Sequence, residues 1–281
     1  MKKLIVTADD IGLHPGMTQG ALAACDAGIV TAVSVAAVGR AFPEAVERLR
    51  ERQTAGPDVG IHLTLVGERP LSPPESIPSL VGRDGAFVRG YPALARRWLL
   101  GRLAPAEIEA ELRAQIERLL AAGLQVVHAN AHQHLHVLPQ IFEIVLRLAE
   151  EHGIRWVRIP AEPALGRRWT PRAVQLAGLN HLGRRARRRL LERERLRAPQ
   201  RTLGLLDAGQ LTVERLRRIL PFAGDVAELV CHPGIGDREL AAAYGWRYRW
   251  EEETAALCDP RVPGMLREAG IELTSFSALW G

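Results

Sequence analysis

Gln125-Val-Val-His128-Ala-Asn130-Ala-His132-Gln-His134-Leu-His136-Val-Leu-Pro139, continued by an amphipathic stretch to Gly153, is where the fold can be read. Its first six residues read as a strand, Gln125–Asn130. Pro139 then opens a helix, read as Pro139–His152, that stops before Gly153. Strand followed by helix is the repeating unit of a parallel sheet with crossover helices. His128 lies in the strand, and His132, His134 and His136 lie between strand and helix; all four are at even positions, so along any extended part of the segment they project to one side. Imidazole is the commonest metal ligand and the side chain that most readily moves protons near neutral pH. The cluster therefore points to a metal-dependent active site at a strand end.

Working outward, the same alternation recurs. Further strands are expected at Lys3–Ala8, Ala32–Val38, Val59–Leu65, Trp156–Ile159, Ala227–Cys231 and Glu272–Phe276, and further helices at Pro105–Ala122 and Thr212–Leu220. Continuously apolar strands such as Ala32–Val38 suit a sheet covered by helices. A length of 281 residues is ordinary for one α/β barrel, which typically has about 250. The expected architecture is a single-domain, irregular (β/α) barrel spanning residues 1–281, with mostly parallel strands and two loop insertions, at about 66–102 and 160–211. Val66–Arg102 holds five prolines and five glycines, which reads as no regular element; long excursions of this kind are usually lids or binding loops.

Composition narrows the function classes. The hydrophobic share of 47% and charged share of 25% are those of a globular protein. No apolar run reaches the roughly 18–20 residues of a membrane span, and the apolar start is cut short by Asp9 and Asp10 where a signal peptide would be cleaved. Three widely spaced cysteines (Cys25, Cys231, Cys258) lack zinc-site spacing and fit a reducing, cytoplasmic setting. The net charge of +5 gathers in Arg184–Arg197. That run has no aromatics for base stacking, so it reads as a solvated helix at the rim and not as a nucleic-acid site. Contact with anionic lipid or a phosphate-bearing substrate is the alternative.

Three more motifs fall at strand ends. In Thr7-Ala-Asp9-Asp10-Ile-Gly12, two adjacent carboxylates cannot both face inward from an extended strand, so the chain must bend or the two must have separate tasks. Gly60-Ile-His62-Leu-Thr64 carries a lone histidine in an apolar strand, and Cys231-His232-Pro233-Gly234 ends a strand abruptly. In a parallel barrel the C-terminal strand ends meet on one face. An aspartate and two histidines meeting there suit a divalent ion used in hydrolysis.

Together these motifs resemble the YdjC-like carbohydrate deacetylases, from the first strand to beyond Pro233. The resemblance implies an irregular (β/α) barrel and one divalent ion, Mg²⁺ or Zn²⁺, held by Asp10, His62 and His132. It further implies Asp9 as general base and an N-acetylated amino sugar as substrate. Val66–Leu80 and Val157–Pro163 are similar to the hopanoid-biosynthesis branch, which extends the expected substrate to a lipid-linked sugar and the location to a membrane-peripheral one. Asn130-Ala131 and Gln133 depart from the chitooligosaccharide branch. The chemistry adds His232 as proton donor to the leaving amine and His134 and His136 as substrate-contacting or supporting residues. His128 and Asn130 would orient the ligands, and Tyr91 and Trp98 offer flat faces to sugar rings. A homodimer is compatible with this reading. The competing classes are a metal-dependent phosphoesterase and an arginine-driven nucleic-acid- or membrane-binding protein.

Overall fold

The apolar run that opens the chain becomes the central strand of an eight-stranded sheet in the computed structural model, which describes residues 1–52, 56–163 and 170–280. The strands are β1 Lys2–Ile11, β2 Ala32–Val35, β3 Asp58–Leu63, β4 Val126–Ala131, β5 Trp156–Val157, β6 Arg201–Leu203, β7 Val226–Cys231 and β8 Ile271–Leu273. The helices are α1 Pro15–Ala27, α2 Phe42–Arg50, α3 Gly90–Leu99, α4 Pro105–Ala121, α5 Pro139–Glu151, α6 Pro171–Leu191, α7 Val213–Ile219, α8 Asp237–Tyr244, α9 Trp250–Leu257 and α10 Val262–Glu268.

Every ladder is parallel, in the order β5-β4-β3-β2-β1-β7-β6. β7 occupies one edge of β1 from Lys3 to Ala8. The other edge is shared, β8 pairing with Lys2–Leu4 and β2 with Thr7–Ile11. The sheet curls into a half-barrel. Its end strands, β5 and β6, are joined not by a ladder but by an isolated parallel bridge between Trp156 and Arg197, just ahead of β6 (Val157 N to Arg197 O, 2.9 Å; Arg197 N to Arg155 O, 2.8 Å), and by Thr202 Oγ1, which donates to Ile159 O (2.8 Å). Helices cover the outer face, and β1 and β2 are buried almost throughout, which accounts for their unbroken apolar character. α5 shows the packing logic: Ile141, Ile144, Val145 and Leu148 recur at helical spacing and are all buried.

The first insertion is more regular than its proline and glycine content suggests. Val66–Arg102 contains a ten-residue helix, α3, which overturns the expectation of no regular element. Pro92 lies in its first turn, where a missing N–H costs nothing. The arginine run divides between α6 and the turn after it. Arg189 pairs with Glu143 (2.7 Å) and Arg193 with Glu150 (3.0 Å), fastening α6 and its end to α5, while Arg184, Arg185 and Arg188 are exposed. Among the described residues, no helix is long and apolar enough to cross a membrane.

Candidate active site

Of the two alternatives at the paired carboxylates, the bend is present. β1 runs through both aspartates to Ile11, with its register to β2 shifting between Ala8 and Ile11. Asp10 takes a left-handed backbone, φ 66°, a conformation that costs an L-residue about 1–2 kcal/mol. The twist breaks strand alternation, and both carboxylates end in one buried neighbourhood.

His62 arrives from β3 and His132 directly after β4. His62 Nε2 lies 3.1 Å from Asp10 Oδ1, His132 Nδ1 lies 2.9 Å from the same oxygen, and the two nitrogens are 3.4 Å apart. Three donors about 2.1 Å from a shared ion would be separated by about 3.0–3.4 Å at octahedral or tetrahedral angles. The trio has that spacing, and it is the one such group among the described residues. Electrostatics agree. Burial opposes charge on Asp10, but His132 and His62 hold its pKa well below the usual range. Burial likewise opposes charge on His62, but Asp9 and Asp10 pull its pKa upward. Two inward-facing carboxylates demand positive charge between them.

Asn130 ties this trio to Asp9. Its Nδ2 donates to Asp9 Oδ1 (3.0 Å), which fixes which way the amide faces. Its Oδ1 accepts from Ser34 Oγ (2.7 Å) and faces His62 Nδ1 (2.7 Å). In the neutral ring that a metal ligand requires, the proton of His62 is therefore assigned to Nδ1, leaving Nε2 turned to the cluster with its lone pair. Asp9 itself is gripped by Arg158, whose Nη2 donates to Oδ1 (2.9 Å) and Nη1 to Oδ2 (2.5 Å). Burial opposes ionisation of Asp9, yet the Arg158 guanidinium beside it holds its carboxyl far below the usual range. Three of its roughly four acceptor positions are thus filled. One remains, on Oδ2.

A cavity of about 350 Å³ opens on this cluster and is lined by Asp9, His62, His132, His134 and His232, with Trp246 and Tyr248 at its side. His232 follows β7, receives Tyr248 edge-on at 5.2 Å, and donates its backbone N–H to Glu253 Oε1 (2.5 Å). Burial lowers the pKa of His232. His134 and Gln133 both have left-handed backbones, φ 55° and 54°, in the turn that carries the chain from β4 to α5. His136 lies behind the cavity, its Nε2 2.7 Å from Arg158 O, and His128 is buried against Phe276 (4.3 Å between rings). These two are not cavity residues.

A second, apolar groove of about 430 Å³ joins the first, sharing Gln133, His134, Arg172, Leu205, Ala208 and Tyr248 with it. Its other walls are mostly leucines, Leu176, Leu179 and Leu182 of α6 among them. Tyr91 lines this groove and not the reactive cavity, and Trp98 lines neither but packs on the core. The aromatics beside the histidines are Trp246, stacked on His132 at 5.2 Å, and Tyr248. Sequence reasoning missed both, along with Arg158. Tyr244, Trp246, Tyr248 and Trp250, at every second position, were the available signal.

The sequence profile described as YdjC-like protein matches residues 3–268. A relative named carbohydrate deacetylase from Brevibacillus brevis is 32% identical over 99% of both chains. One of the same name from Geobacillus stearothermophilus is 32% identical, covering 97% of this chain and 96% of its own. A crystal structure from Enterococcus faecalis, of a protein provisionally described as a cellobiose-phosphate cleavage protein, is 25% identical. It superposes with a TM-score of 0.78 over 99% of this chain and 98% of that one.

Proposed function

The chain belongs to the YdjC-like family, and from that premise we propose that it is a metal-dependent hydrolase removing the acetyl group from an N-acetylated amino sugar. The observation that carries the reading is the spacing of Asp10 Oδ1, His62 Nε2 and His132 Nδ1, a carboxylate and two imidazoles set at the separations of ligands around one ion. A divalent ion such as Mg²⁺ or Zn²⁺ held there would supply Lewis acidity, polarising the amide carbonyl and making water easier to deprotonate. Asp9, ionised and with one acceptor position open, takes the proton of the attacking water. His232 gives a proton to the departing amine. Its lowered pKa makes the imidazolium a stronger donor, though a less populated one at neutral pH. His134, at the junction of the two cavities, is placed to touch the sugar.

The relatives' names support a carbohydrate substrate. The leucine-lined groove joining the reactive cavity supports an apolar aglycone, so the finer reading is an amino sugar carried on a lipid. The two insertions then supply recognition, through Tyr91 of α3 and the leucines of α6. A phosphoesterase using two ions needs ligands for the second, and the described residues offer one group.

The test is acetate release from N-acetylated monosaccharides, chitooligosaccharides and alkyl or lipid glycosides, with added Mg²⁺, Zn²⁺, Mn²⁺ or Co²⁺ and a chelator control. Metal-dependent release, with the highest kcat/KM on the alkyl or lipid glycosides, is expected. No acetate from any substrate with any metal would overturn the deacetylase reading, and a preference for bare oligosaccharides would overturn the lipid one.

A further inference from the structure

Glu228 is a carboxylate in the middle of an otherwise apolar strand, Val226-Ala-Glu-Leu-Val-Cys231, and is wholly buried. Such a group is costly in a core unless it is paired. Its Oε1 accepts from Thr7 Oγ1 (2.8 Å) and from Arg158 Nη2 (2.7 Å), while Oε2 has no protein partner. The same Nη2 also donates to Asp9 Oδ1 (2.9 Å). One nitrogen thus divides its two hydrogens between two buried carboxylates, Asp9 facing the cavity and Glu228 facing the core.

Stability alone gives little reason for this grouping. One guanidinium serves two carboxylates, its Nε finds no partner, and apolar residues of similar volume often replace buried ions without loss. What the grouping does is geometric. A guanidinium held only by the two oxygens of Asp9 could still tilt about the line that joins them. Held at Nη2 by Glu228 as well, it must lie flat along both oxygens of Asp9, which fixes the direction of the acceptor position left open on Oδ2.

We infer that Glu228 is a positioning residue, which through Arg158 aims Asp9 at the attacking water. This deepens the deacetylase reading and rests on its assignment of Asp9. Glu228→Gln keeps the volume and one acceptor oxygen but removes the charge that anchors Nη2. Its turnover should fall about 10–100-fold, the scale typical of outer partners, with KM and Co²⁺ affinity unchanged. In a crystal structure of the variant, Arg158 should have lost its two-point contact with Asp9. In an Arg158→Met background, where the connection is already cut, adding Glu228→Gln should lower turnover no further.

Wild-type turnover in Glu228→Gln, an equal loss in both backgrounds, or Arg158 still two-point bonded to Asp9 in the variant would each overturn the inference. Should Arg158→Met not fold, the turnover and structure of Glu228→Gln decide. Should wild-type protein release no acetate, the deacetylase reading fails. The variant structure would still show whether Glu228 places Arg158.

Discussion

At Asp10 the backbone is left-handed, and the strain is offset by what it achieves: adjacent carboxylates reach one site with different surroundings. Asp10 faces two imidazoles; Asp9 faces a guanidinium and an amide. The first suits a cation and the second a proton acceptor, the separation of tasks expected when paired acids sit in unlike environments. Asp9→Asn should lose about 10²–10⁴-fold in turnover, the usual scale for a general base, while still binding Co²⁺. It should also melt at lower temperature, because Arg158 keeps only Glu228 as a charged partner. Unchanged turnover, or loss of metal in place of activity, would move the base elsewhere. The bend was legible in the sequence as one of two alternatives, because alternation forbids two inward neighbours on an extended strand. Arg158 and Glu228 were not, although both fall inside expected strands. Arg158 is 149 residues from Asp9 and 70 from Glu228, and spacing carries no trace of such a pairing.

At the scale of elements, the strands other than β6 and the helices α4, α5 and α7 were legible because each carries its own period or stop signals. β4, for example, is displaced by a single residue from the expected Gln125–Asn130. β6 was missed, since three residues are too few to show a period. The aromatic strap from Tyr244 to Trp250 shows why connections resist such reading. Its every-second spacing is plain, but its partners come from elsewhere in the chain: Trp246 lies on His132, and Tyr248 lies on Gly209. A Cβ at Gly209 would fall 2.1 Å from the Tyr248 ring, and Arg249 N is bonded to Gly209 O (2.8 Å). Gly209→Ala should therefore push the strap from the cavity and raise KM sharply. Gly153→Ala, equally left-handed (φ 70°) but with open space around it, should suffer only the backbone cost, of order 1 kcal/mol. Paired KM and melting measurements check this, and equal KM values in the two variants would detach the strap from substrate binding.

For the whole molecule, the alternation of strand and crossover helix follows from the sequence, whereas the incomplete closure between β5 and β6 does not. It depends on how far a two-residue strand and a three-residue strand can extend a ladder. Stability as a function of pH is also a property of the whole, and Glu253 makes part of it predictable. Burial pushes its carboxyl up to about 8, against the backbone N–H groups of His232 and Leu211, which lower it. Unfolded, it titrates near 4.5. Between those values the folded protein holds a proton that the unfolded chain has released, so this group's contribution is complete below the lower value and falls as pH rises toward the upper one. The buried rings of His128 and His136, with pKa values lowered to about 3 and about 4, act in the opposite direction below about 6.5. They cancel when wild type is compared with Glu253→Gln, whose lost N–H acceptor adds an offset that does not vary with pH. Urea midpoints taken at intervals from pH 5 to pH 8 should show wild type losing stability relative to the variant throughout that window. A difference that stays flat would mean that Glu253 is ionised in the folded state and that its two N–H donors outweigh its burial.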